Sequence, residues 1–309
     1  MTQIESKTIE NLTDDDDDDD ELNSSNKIIP TAYKSNQSEL NEEDISKIAN
    51  NQSDFDIENL IKLDLKNFIN KSIPKQYENF IQCHIKREKD GFSTIYCLYY
   101  IGQNENDLIL LLKARKHVTI GGHSEFLLEI PLENSSTNLN DETSIAKLRS
   151  IKTLQHEYVL YDYQSNQENK PQILAIIYDE HKFGSKEPRK FTVLLHNTKE
   201  DLRQFKENET IIDEWRAGRS NDLIEIKNKI PTYNQEFQVY SLPMLNNHIK
   251  EGSHKNFQLI YLNEHNEEDI IMEFGRINEN RFSLDYRYPL TTIEAFSIAL
   301  SSFHNRFRT

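Results

Sequence analysis

The sequence predicts a mainly β fold, in which a closed barrel of many strands surrounds a buried hydrophobic α-helix at the C-terminal end. Two observations support this prediction. From Tyr77 onward, short runs rich in Ile, Val, Tyr, Phe and Leu alternate with clusters of Asn, Gly, Asp and Glu, which is typical of all-β barrels and sandwiches. The segment from Ala295 to Phe303 breaks this pattern, because apolar side chains occur on nearly every side of it, as in a buried helix.

Residues 1–55 are predicted to form a disordered acidic tail. Asp14–Asp20 is a run of seven aspartates that repel one another, and Asn, Ser, Gln and Glu dominate the rest, so little apolar surface offsets the chain entropy. We expect the run to be solvated and not to hold a metal, because it has no fixed geometry that would pre-organise a cation.

The net charge of −16 is concentrated in this first part of the chain. Residues 1–79 carry 8 Lys and Arg against 19 Asp and Glu, a net of −11, which leaves −5 for the remainder. A nucleic-acid partner is therefore not favoured, because affinity for phosphate backbones comes mainly from clustered Lys and Arg.

The sequence favours a cytoplasmic location, with the nucleus as a further compartment. Met1–Asp20 has no apolar core of the kind found in signal peptides, and no stretch approaches the roughly 18 apolar residues that span a bilayer. Only two cysteines occur, Cys83 and Cys97, and in a reducing compartment we expect both thiols to be free.

Residues 56–76 are predicted to form a short helix and a linker. Apolar residues recur at spacings of three and four between Asp56 and Asn70, which indicates an amphipathic helix. Two interpretations are open: the helix docks a partner, or it packs onto the domain that follows.

Eleven runs in the next part of the chain are predicted to be strands, most of them five to eight residues long. They are Ile81–Lys86, Thr94–Ile101, Leu108–Arg115, Phe126–Ile130, Tyr158–Tyr163, Ile173–Tyr178, Lys190–Leu195, Phe237–Leu242, Phe257–Leu262, Ile270–Arg276 and Phe282–Tyr286. A helix is predicted within this region at about Glu209–Ala217.

The last helix is predicted to begin with a capping box, in which Thr291 accepts from free N–H groups while Glu294 reaches back. At about 13 residues, or roughly 20 Å, it is too short to cross a membrane. We therefore expect it inside the β structure. An eight-stranded barrel is filled by its own side chains, so a barrel that holds a helix needs more strands, and eleven candidates meet that need.

Seven sequence blocks carry a resemblance to a known family, and they occur in the family's order. The last block is Asp285–Leu290 followed by Ala295–Phe303. The other six are Gln82-Cys83, Lys147–Ser150, Lys186–Lys190, Glu225–Pro231, Lys255–Gln258 and Met272–Arg276. On these blocks, which span roughly residues 80–309, the chain resembles the tubby family, with residues 77–309 as its tubby-like C-terminal domain.

The resemblance implies a closed barrel of about twelve strands around the C-terminal helix. It also implies binding of a phosphoinositide, typically phosphatidylinositol 4,5-bisphosphate, at the cytosolic face of the plasma membrane. Better-known members of the family act as adaptors that couple such membranes to signalling or to delivery of membrane proteins into cilia. An unidentified protein cargo or trafficking complex is therefore an expected partner, for a chain that we expect to be a monomer without a cofactor.

Four basic residues are candidates for lipid binding: Lys113, Arg115, Lys116 and Arg149. A bisphosphorylated head group is best met by converging Arg and Lys, and strand alternation places Lys113 and Arg115 on one face. The resemblance implies the same strand end and Arg149 as lipid contacts. The alternative is a solvated strand end with no ligand.

The segment after this strand departs from the family pattern. It continues as His117–His123, where well-known members have several more Lys and Arg. Because each cation near an anionic membrane contributes about 1 kcal/mol, we expect weaker attraction to the membrane. His117 and His123 add charge below about pH 6.5. A metal site built from these two residues is not predicted, since no further ligands have a recognisable spacing.

No enzymatic activity is predicted. The sequence contains no phosphate-binding loop of P-loop or Rossmann spacing, no Gly-x-Ser-x-Gly and no His-Glu-x-x-His. The leading hypothesis is a phosphoinositide-binding peripheral membrane adaptor. The alternative is a nuclear or transcription-regulatory protein, or a protein-interaction module, with weak lipid binding.

Overall fold

The structure is a computed structural model that describes residues 28–32, 56–91, 93–102, 107–118, 123–131, 144–151, 157–163, 171–179, 187–197, 209–219, 222–262 and 267–303. The strands in these ranges are β1 Ile28–Ala32, β2 Ile81–Asp90, β3 Ser93–Ile101, β4 Leu108–Val118, β5 Ser124–Glu129, β6 Ser144–Ser150, β7 Glu157–Asp162, β8 Gln172–Tyr178, β9 Phe191–His196, β10 Leu223–Asn228, β11 Thr232–Asn234, β12 Val239–Met244, β13 Phe257–Leu262, β14 Glu268–Asn278 and β15 Arg281–Tyr286. The helices are α1 Ile57–Leu63, α2 Leu65–Asn70, α3 Ile211–Arg216 and α4 Thr292–Ser301.

Twelve antiparallel strands close the barrel in the order β10-β13-β14-β15-β2-β3-β4-β5-β6-β7-β8-β9. Most neighbours in the barrel are consecutive in the chain. There are two exceptions. Strand β10 pairs with β13, because β11 and β12 leave the wall and join β1 in a separate three-stranded sheet, and the last strand β15 pairs with β2 and so closes the barrel. The prediction of a closed barrel of about twelve strands is confirmed.

Two barrel strands, β6 and β10, are missing from the strands that the sequence predicts, and the predicted strand Phe237–Leu242 corresponds to β12, outside the barrel. Only every second residue of β6 and β10 faces the core, and Lys147, Arg149 and Lys227 face away from it, so neither strand is rich in apolar residues. The apolar content of a segment also does not say which sheet the segment joins.

Helix α4 fills the barrel, and every residue of it is buried. The predicted capping box is present: Thr291 Oγ1 accepts from the Glu294 N–H at 3.2 Å, and Glu294 Oε2 accepts from the Thr291 N–H at 2.8 Å. Beyond the helix, the Phe303 ring lies 4.6 Å from Tyr96 and 4.7 Å from Phe282, centroid to centroid, on the strand walls. The prediction of a buried C-terminal helix is confirmed.

The serines of α4 are compatible with this burial because their hydroxyls have partners. Ser297 Oγ donates to the Ile293 carbonyl oxygen at 2.7 Å, and Ser301 Oγ lies 2.8 Å from the Tyr178 hydroxyl on β8. A buried hydroxyl with a hydrogen-bond partner avoids most of the free-energy cost of desolvation.

The helix predicted over residues 56–70 is two helices with a break at Asp64. The Asp64 N–H donates to the Leu60 carbonyl oxygen at the end of α1, and its side chain accepts from the Asn67 N–H at the start of α2 at 2.9 Å. Ile61 and Phe68 are buried in the same hydrophobic core as the barrel interior. Of the two interpretations, packing onto the following domain is the one that the structure describes.

Helix α3 confirms the helix predicted at about Glu209–Ala217 and lies on the outer face of the wall. Ile211 and Ile212 form a buried cluster with Val159 of β7 and with Ala175 and Ile177 of β8. This part of the outer wall is therefore covered.

Strand β1 lies inside the segment that the sequence predicts to be a disordered tail. Its residues Ile28–Ala32 pair in parallel with β12. The rest of residues 1–55 lies outside the described ranges. Among the described residues no helix is both long and apolar enough to reach across a bilayer.

A segment that we call the strap, residues 245–256, covers another part of the outer wall, across β13, β14 and β15. The Leu245 and Asn246 N–H groups donate to the Glu273 carboxylate at 2.8 and 2.7 Å, and Asn246 Nδ2 donates to Asp285 Oδ2 at 2.6 Å. Ile249 of the strap contacts the wall at Gly275, where a Cβ atom would lie 2.5 Å from Ile249 Cγ2. The strap is thus fixed by both polar and apolar contacts.

Phe296→Ala is expected to lower the free energy of unfolding by about 3–5 kcal/mol, because it leaves a cavity at the centre of the barrel. Urea denaturation followed by far-UV circular dichroism measures the change. Phe237→Ala is the matched control, since Phe237 is 67% exposed, and it is expected to change stability by less than about 0.5 kcal/mol. Equal losses in the two variants would contradict the central position of α4.

The stability of the protein is expected to fall as the pH rises from about 4 to 7. Burial raises the pKa of Asp285 from 3.8 to about 7; the hydrogen bond from Asn246 opposes this, and the charge of Glu273 adds to it. In this window the folded state therefore holds a proton that the unfolded chain releases. Asp285→Asn should weaken the dependence, measured by urea denaturation at pH 4.5 and 7. Parallel slopes in the two proteins would refute this assignment.

Candidate anion-binding surface

Lys113 and Arg115 lie on the outer face of β4, near its C-terminal end. Ala114 between them is fully buried in the barrel core, so strand alternation turns its neighbours outward. His117 follows on the same outer face. The structure therefore places Lys113 and Arg115 together, as the alternation predicts.

Arg149 reaches the same surface from β6 through the cross-strand register. His117 pairs with Glu125 of β5, and Glu125 pairs with Arg149. Since neighbouring strands are about 4.8 Å apart, the β4 and β6 backbones are separated by roughly 10 Å here. Arg115 and Arg149 thus lie on one side of the wall and near the same end of the barrel.

Lys147 joins this group although it is absent from the candidates that the sequence predicts. It lies two residues before Arg149 on the outer face of β6 and pairs with Leu127, which pairs in turn with Arg115. The same alternation that places Lys113 beside Arg115 would have identified it. We call Lys113, Arg115, His117, Lys147 and Arg149 the cationic patch.

Lys116 does not belong to the cationic patch. It is 7% exposed and lies between the outward-facing Arg115 and His117, so its side chain points to the inner face. Its partner in the register is Phe126, a core residue. Lys116 is predicted as a candidate because it is close in the chain to Lys113 and Arg115, but successive residues of a strand face opposite sides.

Carboxylates balance much of the positive charge in the cationic patch. Glu125 lies between Arg149 Nε at 3.1 Å and Lys147 Nζ at 3.4 Å, and Asp90 Oδ2 lies 3.1 Å from Arg115 Nη1. In the Arg149–Glu125 and Arg115–Asp90 pairs one partner is half exposed or more, so these two ion pairs contribute little net stability and are open to competition by another anion.

Arg115 is the most constrained cation of the patch. Its side chain is 17% exposed, and its Nε atom is buried and has no hydrogen-bond partner among the described residues. A buried donor without a partner costs about 1–3 kcal/mol, so an anionic oxygen at this position would be stabilised by a group that is already in place.

His117 and Lys147, which are both near Glu125, have pKa shifts in opposite directions. Burial lowers the pKa of His117, and the charges of Arg115 and Lys147 lower it further against the opposing effect of Glu125. Burial also lowers the pKa of Lys147, but its hydrogen bond to Tyr163 and the charge of Glu125 outweigh this and raise the pKa overall. Lys147 is therefore charged at neutral pH, whereas His117 gains charge only below its ordinary range near 6.5.

The described residues contain no cluster of three or more His, Cys, Asp or Glu with metal-binding geometry. A cavity of about 20 Å³ lies at the barrel end beside Ser302, Arg189 and Lys255. A cavity of this size holds about one water molecule. This cavity is therefore too small for a ligand larger than water, whereas the outer surface of the barrel has no such size limit.

The fold and this surface define a class of protein, a helix-filled β-barrel with a cationic patch on its outer wall. The family model described as the Tub family matches residues 70–305, and the chain belongs to the tubby family. Proteins of this family are not known as enzymes, and the absence of catalysis stays a prediction for this chain.

Three relatives illustrate the similarity. Tubby protein homolog 1 of Caenorhabditis briggsae is 34% identical over 275 residues, which are 80% of this chain and 62% of that protein. Tubby-related protein 3 of Mus musculus is 30% identical over 246 residues, 73% of this chain and 52% of that protein. Protein king tubby of Drosophila sechellia is 31% identical over 239 residues, with 73% and 52% covered. The chain thus spans about half to three fifths of these relatives.

The pKa of His117 is expected to respond in opposite directions to two substitutions in the cationic patch. Glu125→Gln removes the carboxylate that raises it and should lower the pKa, whereas Arg115→Gln removes a charge that lowers it and should raise the pKa. Two-dimensional NMR titration of the histidine ring protons measures both. An unchanged pKa in both variants would mean that His117 does not lie in the electrostatic field of the patch.

Proposed function

We propose that this protein is a peripheral membrane adaptor whose cationic patch binds a phosphoinositide, phosphatidylinositol 4,5-bisphosphate, at the cytosolic face of the plasma membrane. The observation that carries the proposal is Arg115 on the outer wall. Its buried Nε atom has no hydrogen-bond partner within the part of the chain that the structure describes, and Arg115 lies close to Lys113 and, two strands away, to Arg149.

The chemistry of the patch suits a ligand with several negative charges. Arg guanidinium groups bind phosphate oxygens in a bidentate fork, and Lys113 and Lys147 add point charges beside them. A monoanionic lipid must compete with Glu125 and Asp90, which already form ion pairs with three cations of the patch. A bisphosphorylated head group brings more negative charge than either carboxylate, so it competes better for these cations.

The adaptor role rests on family membership and on the use of separate parts of the surface for lipid and for protein. The lipid-binding side is the wall at β4–β6, which leaves the rest of the barrel for a protein cargo or trafficking complex, still unidentified. We propose that the chain acts as a monomer and links membrane lipid to signalling or to delivery of membrane proteins, including into cilia, with no nucleic-acid partner and no cofactor.

A second candidate function is a nuclear or transcription-regulatory protein, or a protein-interaction module, with weak lipid binding. It is favoured by the carboxylates beside the cationic patch. Glu125 lies between Lys147 and Arg149 and reduces the positive electrostatic potential that attracts an anionic membrane. The two proposals differ in the affinity for lipid, which is measurable.

Arg115→Ala combined with Arg149→Ala is expected to reduce binding to phosphatidylinositol 4,5-bisphosphate at least tenfold, since each cation near an anionic membrane contributes about 1 kcal/mol before any bidentate contact is counted. The assay is flotation of the full chain with phosphatidylcholine and phosphatidylserine vesicles, with and without the phosphoinositide. The melting temperature should change by no more than a few degrees.

Lys62→Ala with Lys71→Ala is the matched control, because it also removes two exposed positive charges, from α1 and from the end of α2, away from the patch. It should keep the wild-type binding. If the wild-type chain floats equally with both kinds of vesicle, the adaptor proposal fails and the second candidate function is favoured.

A further inference from the structure

The small sheet outside the barrel joins two distant parts of the chain. Strands β11 and β12 form an antiparallel hairpin in which Thr232–Asn234 pairs with Val239–Ser241. On its other edge β12 pairs in parallel with β1, from Ile28 opposite Tyr240 to Ala32 opposite Met244. The edge of β12 therefore receives an extended segment from the N-terminal part of the chain.

The β12 side of this pairing is fixed to the barrel. Leu242 and Met244 are buried with Ile249 of the strap, and the Pro243 carbonyl oxygen accepts from Gln258 Nε2 at 2.7 Å. Directly after β12, the strap is held by the Glu273 and Asp285 carboxylates. These hydrogen bonds hold β12 and the strap to the barrel and do not involve β1.

Strand β1 pairs along one edge among the described strands, whereas β12 pairs along both. It is five residues long, and a parallel ladder is slightly less stable per residue than an antiparallel one. Pro30 has no N–H to donate, and proline within sheets is confined to edges, ends and bulges. In the sequence, the 23 residues 33–55 lie between β1 and Asp56, the N-cap of α1.

Apolar side chains are exposed on the same hairpin. Phe237 at the turn is 67% exposed, Tyr233 is 47% exposed, and the Tyr233 ring lies 5.0 Å from that of Tyr240, the residue opposite Ile28. Aromatic side chains are enriched where proteins bind one another, and these lie on the sheet that contains the edge of β12.

We propose that the edge of β12 is a strand-addition site for a partner protein, and that Ile28–Ala32 is its built-in occupant. The partner supplies an extended segment of the same chemistry, two adjacent β-branched apolar residues followed by proline. Main-chain hydrogen bonds to β12 supply affinity and alternate side chains supply specificity, as in other cases of β-augmentation. This inference does not depend on lipid binding by the cationic patch.

Because β1 competes for the edge of β12, the partner must reach a minimum concentration before it binds. A tethered segment has an effective concentration in the millimolar range, so a free segment of equal intrinsic affinity binds only when it exceeds that concentration or is itself held nearby. Removal of β1 from the edge should therefore strengthen binding of a free segment without any change in the β12 surface.

The probe for this site is a fluorescein-labelled peptide of residues 26–35, measured by fluorescence anisotropy with the full chain. In one variant, residues 28–32 are replaced by a Gly/Ser sequence of equal length. The peptide is expected to bind this variant at least tenfold more tightly than it binds the wild-type chain. A control peptide with Ile28→Asp and Ile29→Asp should bind neither protein.

A second variant locks the occupant in place. Ile29 and Ser241 are opposite each other in the register, at a Cα separation that a disulfide can span in neighbouring strands, and the native Cys83 and Cys97 are buried. Ile29→Cys with Ser241→Cys should bind no peptide when oxidised and return to the weak wild-type binding when reduced.

Three results would overturn the proposal. The first is equal binding of the peptide to the wild-type chain and to the Gly/Ser variant, which would place it elsewhere. The second is no binding to a Gly/Ser variant that melts like the wild-type chain. The third is loss of folding in that variant, which would make β1 a structural strand. Flotation of the same variants, expected to be unchanged, separates failure here from failure of the lipid proposal.

Discussion

The burial of α4 is the constraint on which the rest of the structure depends. A helix that is apolar on all sides must be surrounded by apolar residues, and the barrel supplies them from inward-facing positions of twelve strands. Ser297 bonds to a backbone carbonyl of the helix and Ser301 to Tyr178, so these buried hydroxyls have partners. A wall wide enough to hold a helix is the reason for the unusual number of strands.

Helix α4 fills the interior of the barrel, and both proposed sites lie outside the wall. Helix α3 covers β7 and β8, and the strap covers β13 to β15. The cationic patch lies at β4–β6 and the edge of β12 lies in the separate small sheet, so the two proposed sites belong to different parts of the described surface.

Both proposed sites contain a competitor that belongs to the chain itself. Glu125 and Asp90 occupy cations of the patch, and Ile28–Ala32 occupies the edge of β12. In each case the ligand must exchange with an existing contact and does not fill an empty surface. This raises the selectivity of both sites, because a ligand with few charges, or a segment without the matching side chains, gains too little to displace the contact that is present.

The sequence by itself determined the β class, the buried helix with its Thr291 cap and the shared face of Lys113 and Arg115, because these follow from the period of the side chains and from local capping. It did not determine that β12 leaves the barrel, that Arg149 of β6 lies two strands from Arg115 of β4, or that Glu125 of β5 lies between two cations. Only the tertiary structure decided those, since they depend on which strands become neighbours and in which register. Strand pairing brings together residues far apart in the chain, and no local pattern encodes it.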